Sequence, residues 1–155
     1  MGSVKLSSLL KEEHILLDVP AVDREAILGA VSHHLEGAGI LRNAKEVMEL
    51  LLDRERLGAT VVGEQAAIPH CKVPGLKSVV VAFARTAQAI PFGNGEGGSV
   101  KLFFFVLSPR DQPAAHLQVL ASIARLLRSR RALEVFLSAA TPAQLRQALQ
   151  GVEGG

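Results

Sequence analysis

Residues Ser99 to Leu107 read SVKLFFFVL, and no other run constrains the fold as much. It is far shorter than the roughly 20 apolar residues a membrane-spanning helix needs. It also lacks the strict polar–apolar alternation of a half-exposed strand. A bounded run of aromatic and β-branched residues is instead a central strand buried on both faces. Ser78 to Arg85, SVVVAFAR, is a second central strand, rich in Val. Ala89-Ile90-Pro91-Phe92 reads as a short edge piece, because Pro cannot donate to a ladder. Gly93 to Gly98 is a Gly-rich loop between these strands.

Around the strands the pattern is helical. Lys5–Leu9 makes about one turn, and His14 to Val19 is extended until Pro20 stops it. Asp23 caps a helix from about Arg24 to Glu36, with Ile27, Val31 and Leu35 on its buried face. Asn43, with Glu46 three residues on, caps a helix reaching about Arg56, with Val47, Leu50, Leu51 and Leu57 inward. Thr60–Val62 and Ala66–Ile68 are short extended pieces joined by a turn at Gly63-Glu64-Gln65. Asp111-Gln112-Pro113 opens a helix to about Arg128, with a core stripe of Leu117, Leu120, Ala124 and Leu127. Ala132–Ser138 is helical again. Thr141-Pro142-Ala143-Gln144 starts a last helix, and Gly154-Gly155 is a tail. The mixture of strands and helices argues an α/β fold, and 155 residues without repeat or linker fit one domain spanning 1–155.

Composition excludes several classes. The net charge is +2, and there is no Trp or Tyr to interleave with a basic cluster, so nucleic-acid binding is not expected. The one basic run, Arg125, Arg128, Arg130 and Arg131, reads as a solvated helix end that complements the dipole. The single cysteine, Cys71, permits no intrachain disulfide, which agrees with a reducing cytoplasm. The N-terminal stretch lacks a long apolar segment, so neither a signal peptide nor membrane insertion is expected.

The chemistry concentrates in Leu51 to Val73, LLDRERLGATVVGEQAAIPHCKV. Pro69 biases Ile68 toward extended geometry, so His70 sits just past a short extended segment. An imidazole held this way, largely neutral at pH 7, suits a nucleophile. The bland alternative is a buried structural histidine. Cys71 points to the opposite face from His70 and reads as a packing residue. His33-His34 reads as a helix-surface pair. A zinc site from His70, Cys71 and His116 lacks any short ligand spacing, so no metal and no cofactor is expected.

Arg54-Glu55, Thr60, Gly63 and Ala67-Ile68-Pro69-His70, continued by Ala115-His116-Leu117, resemble the signature of the type-2 enzyme IIA domains. These belong to the bacterial phosphoenolpyruvate-dependent phosphotransferase system, in the fructose/mannitol class that includes the nitrogen-regulatory proteins. The resemblance implies a small mixed β-sheet with helices on both faces. It implies a cytoplasmic phosphocarrier with His70 as phosphoryl acceptor. Its donor would be phospho-HPr or a paralogue, and its acceptor a sugar-specific IIB domain or a regulated partner, with the nitrogen-regulatory type slightly favoured. By the same resemblance His116 hydrogen-bonds the phosphorylated ring or its oxygens, Arg54 stabilises charge, and Thr60 supports the phosphoryl group or the ring. The chain departs from the pattern at Glu64-Gln65, where Asn-Gly is usual, and at Cys71, where Gly is common. A carboxylate at Glu64 beside an anion site keeps a second function open, a protein-binding module that has lost phosphorylation.

Overall fold

The computed structural model describes residues 5–92 and 98–154. Most of the Gly93–Gly98 loop therefore lies outside the described residues. In chain order the elements are α1 (Leu6–Leu9), a 3-10 turn (Glu12–His14), β1 (Ile15–Val19), α2 (Arg24–Gly37) and α3 (Ala44–Leu57). Then come β2 (Val61–Val62), β3 (Ala66–Ala67), β4 (His70–Lys72), β5 (Val80–Pro91), β6 (Ser99–Ser108), α4 (Pro113–Leu126), α5 (Arg130–Ser138) and α6 (Pro142–Gly154).

The apolar run at Ser99–Leu107 does become the centre of the sheet. The strand order is β1-β5-β6-β3-β2, with β4 also on β6. On one side β6 pairs with β5, antiparallel. On the other it pairs in parallel first with β3 and then with β4, Ala67 opposite Phe103 and His70 opposite Val106. Alternation along β6 feeds two cores. Phe103, Phe105 and Leu107 pack with Ile27, Leu28, Val31, Leu35, Val47 and Leu51 of α2 and α3. Leu102, Phe104 and Val106 pack with Val119, Ile123, Phe136, Leu145 and Leu149 of α4, α5 and α6. Phe83, Phe104 and Phe136 form an aromatic cluster with centroids 4.8–4.9 Å apart, and each ring buried this way contributes about 2–3 kcal/mol. The fold is the mixed α/β sheet with helices on both faces that the resemblance implies.

Helix starts follow their caps. Asp23 accepts from the Ala26 amide and Asn43 from the Glu46 amide. Thr141 accepts from the Gln144 amide, and Gln144 accepts from Ala140 in return. Five expectations change. Ala89–Pro91 is no separate piece but the far end of β5, past an irregularity between Arg85 and Ile90 and beyond the reach of β1, where a missing donor costs nothing. Leu57 is not inward but 84% exposed. It lies six residues past Leu51, roughly 240° round the helix, and the buried stripe runs Val47, Leu51, Glu55 instead. Leu117 is also outward, 66% exposed, because the inner face of α4 is carried by His116, Val119 and Ile123. Gly154 is no tail, since α6 runs through it, and Glu153 accepts from the Leu6 and Ser7 amides at the start of α1. The dipole reading of the arginine run holds only for Arg125, in the last turn of α4; Arg130 and Arg131 open α5, at the positive end.

Candidate functional site

The site forms where β4 leaves its short extended lead-in and meets the first turn of α4. Alternation on β4 sends Cys71 into the α2–α3 core, where burial pushes its thiol up to about 12. His70 and Lys72 take the opposite face, the one α4 covers. The His70 ring is half-buried, and its Nδ1 lies 2.7 Å from the Ile68 carbonyl oxygen. A carbonyl only accepts, so Nδ1 carries the proton and the lone pair is on Nε2. Pro69 makes this contact local: it holds the Ile68 backbone extended while its own carbonyl accepts from the Val106 amide.

His116 stands beside it. The two rings have centroids 5.4 Å apart and are tilted by 54°. Pro113 at the start of α4 and the bond from the His116 amide to the Gln112 carbonyl set this first turn. Behind the ring, His116 Nδ1 and the Ser108 hydroxyl lie 2.6 Å apart. Burial pushes the His116 pKa below 6.5, and His70 and Lys72 add to the effect. Burial is also the main cause that lowers the pKa of His70; its bond to Ile68 opposes this, Arg54 adds to the lowering, and Glu55 opposes it. Both rings are therefore held toward their neutral forms.

Arg54 reaches the site from the last turn of α3. One of its terminal nitrogens donates to the Gly58 carbonyl at 2.9 Å, which anchors the guanidinium; among the described residues its other N–H groups have no hydrogen-bond partner and can meet an anion. Glu55 is fully buried and accepts from both the amide (3.1 Å) and the hydroxyl (2.5 Å) of Thr60. The Thr60 hydroxyl is thus committed to Glu55, not to the ring of His70. Through this brace it fixes the loop between Arg54 and β2, and the Thr60 carbonyl then accepts from the Ile68 amide at 2.9 Å. The sequence reading brought His70, His116 and Arg54 into one place. It gave no role to Glu55, Lys72 or Ser108. Glu55 had a signal, a carboxylate on the same helical stripe as Val47 and Leu51, and so had Lys72, two residues from His70 on one strand face.

Glu64 does not share the site. It lies in the exposed β2–β3 turn, and Gln65 accepts from the Lys101 and Leu102 amides, whereas His70 is opposite Val106. Four residues of strand separate the two levels, about 13 Å. The turn needs only Gly63 at positive φ (66°), and Gln65 has ordinary backbone angles, so the departure from Asn-Gly carries no strain. Glu64 instead lines an apolar cleft of about 290 Å³ with Val62, Ala66, Leu127 and Leu133. His33 and His34 are exposed and bond backbone carbonyls of Gly29 and Glu13. Among the described residues no group of three or more His, Cys, Asp or Glu is placed to hold a metal, and no helix is long and apolar enough to cross a membrane.

The family described as phosphoenolpyruvate-dependent sugar phosphotransferase system, EIIA 2, matches residues 8–152. The chain belongs to this family. As an enzyme IIA domain it is a component of a phosphoryl-transfer system. It is 47% identical over 87 residues to a nitrogen regulatory protein of Bradyrhizobium diazoefficiens, a match that covers 56% of this chain and 57% of that protein. It is 28% identical over 152 residues to a nitrogen regulatory protein of Pseudomonas aeruginosa, covering 98% and 99% of the two chains. The crystal structure of the nitrogen regulatory protein IIA-Ntr from Neisseria meningitidis superposes with a TM-score of 0.83 at 29% identity, over 93% of this chain and 98% of that one. Both the enzyme IIA fold and the nitrogen-regulatory likeness therefore extend over nearly the whole chain.

Proposed function

We propose that this enzyme IIA domain, read as one unit over residues 1–155, carries a phosphoryl group on Nε2 of His70. The observation that carries the proposal is the 2.7 Å bond between His70 Nδ1 and the Ile68 carbonyl. It leaves Nε2 as the only lone pair on the ring. In the transfer, that lone pair forms a bond to phosphorus as the donor's P–N bond breaks in line, and the bonding pair returns to the donor ring. The transition state is loose, so the protein's work is positioning and charge stabilisation. Positive charge that develops on the His70 ring strengthens its Nδ1–H bond to Ile68. The negative phosphoryl oxygens are met by the Arg54 guanidinium and by the His116 ring, with Lys72 as a further cation on the same strand face. Thr60 supports the site indirectly, through Glu55.

The donor is phospho-HPr or a paralogue. The recipient is a IIB domain or a regulated protein, and the nitrogen-regulatory relatives favour the regulatory role. A cytoplasmic location follows from partners of this kind. Two exposed leucines sit on the elements that deliver the flanking groups, Leu57 just past Arg54 and Leu117 next to His116. They supply an apolar contact on each side for a small transient interface. The binding-only alternative rested on Glu64-Gln65, and these residues stand at another level of the sheet. To test the proposal, the chain is incubated with phosphoenolpyruvate, enzyme I and HPr. An acid-labile mass gain that maps to His70 is the expected outcome. Failure to gain mass, or a gain on another residue, contradicts it.

A further inference from the structure

Ser108 ends β6 fully buried, and its hydroxyl lies 2.6 Å from His116 Nδ1. Among the described residues this ring nitrogen is the only partner of the hydroxyl, and the His116 ring has no second one. Two arrangements of protons fit the distance. If Nδ1 held the ring proton, it would donate to Oγ. The hydroxyl proton would then be buried without an acceptor, at a cost of about 1–3 kcal/mol. If Nδ1 is bare, the hydroxyl donates to it, both groups are satisfied, and the ring proton sits on Nε2. The second arrangement wins by the cost of that orphaned donor.

We propose that Ser108 is a positioning residue that holds His116 as its Nε2–H tautomer, so that a donor rather than a lone pair stands beside His70. Its functional meaning rests on the phosphocarrier reading above. Two consequences follow. An N–H at Nε2 donates to a phosphoryl oxygen, where a lone pair would repel it. The same proton removes His116 as a rival nucleophile: two bare nitrogens on rings 5.4 Å apart would otherwise compete for one phosphorus. Burial together with the charges of His70 and Lys72 disfavours a second proton on this ring, which keeps the tautomer the relevant choice. The two histidines are thus set in complementary states by two different acceptors and donors. A backbone carbonyl accepts from Nδ1–H of His70 and keeps the proton there, and a side-chain hydroxyl donates to the bare Nδ1 of His116.

The test is long-range 1H–15N correlation NMR on the full unphosphorylated chain with 15N-histidine, at a pH above 7, with phosphoryl transfer from phospho-HPr measured in parallel. In the wild-type chain His116 is expected to show a protonated Nε2 and a bare Nδ1. Ser108→Ala is expected to mix the tautomers of His116 and to slow transfer about tenfold, the lower end of what partners that orient a metal-bound histidine contribute. Ser108→Thr, which keeps a hydroxyl, should restore both. A wild-type Nδ1–H tautomer overturns the proposal, and so does a Ser108→Ala variant whose tautomer is unchanged. Should Ser108→Ala fail to fold, the wild-type and threonine spectra decide alone. The tautomer is read without any phosphoryl donor. Absence of phosphorylation would therefore overturn the carrier reading and leave the tautomer assignment standing, while a wrong tautomer would overturn only the role of Ser108.

Discussion

His14 and His70 make the same hydrogen bond and differ in everything else. Each donates through Nδ1 to a backbone carbonyl, His14 to Val81 at 2.9 Å and His70 to Ile68 at 2.7 Å. Each ring is thereby fixed in one tautomer with its lone pair on Nε2. His14 is 7% exposed and closes the 3-10 turn against β5. Its bond spans 67 positions of chain and ties the N-terminal segment to the sheet. The bond of His70 spans only two positions and ties nothing together. That ring is half-open, with a second histidine ring 5.4 Å away and Arg54 near enough to shift its titration. A fixed tautomer is therefore not a functional mark in itself. What separates the two rings is access to the lone pair and the donors and cations around it.

The largest effect should come from the two alanine variants of this pair. His70→Ala is expected to abolish phosphorylation with the fold intact. His14→Ala should still be phosphorylated but lose about 1–3 kcal/mol, because the Val81 carbonyl is left buried and unpaired. Mass spectrometry after incubation with the donor system, and urea unfolding, read the two outcomes. A phosphorylated His70→Ala chain would erase the contrast.

Next come the neighbours of His70. Arg54→Ala and His116→Ala should each slow transfer about a hundredfold, the scale on which one charge-stabilising donor acts, while leaving His70 as the acceptor. Rapid-quench rates from phospho-HPr check this, and wild-type rates in both variants would reduce these residues to packing.

Much of this site was legible in the sequence. Pro69-His70 after an extended run, Arg54 at a helix end and His116 at a helix start are local patterns, and each local pattern survived folding. The missing parts were tertiary. Thr60 was expected at the phosphoryl group or the ring, yet its hydroxyl is bound to Glu55, because a buried carboxylate on the core stripe of α3 needs donors more than the open site does. Ser108 looks like the polar end of an apolar strand. Its role depends on which face of β6 it shares with Val106, and that parity is visible only once His70 is paired opposite Val106. Spacing alone puts Leu117 on a stripe with Leu120, Ala124 and Leu127, and Leu57 on one with Val47, Leu50 and Leu51. The exposure of Leu57 and Leu117 follows from helix phase, which boundaries alone do not fix.

A smaller effect concerns pH. Both site histidines have folded pKa values below the ordinary 6.5. The unfolded chain therefore binds protons first as pH falls. Stability is unaffected by these rings above about pH 6.5, decreases as pH drops below it, and stops decreasing on their account once pH is below the folded values. Urea midpoints at pH 7.5 and 5.5 should show a smaller acid loss in His70→Ala than in the wild-type chain. An equal loss would mean that the ring titrates normally. The smallest effect belongs to Glu64→Asn, within about twofold in transfer rate at physiological salt, since a charge about 13 Å along the sheet is beyond the Debye length. A tenfold gain would return Glu64 to the site.

The central claim is that backbone geometry selects one nitrogen of His70 as the acceptor. Long-range 1H–15N NMR of the phosphorylated chain tests it directly. The expected spectrum shows phosphorus coupled to Nε2 of His70, with a proton retained on Nδ1. Phosphorus on Nδ1, which would require breaking the bond to Ile68, or on any other histidine, would contradict the account.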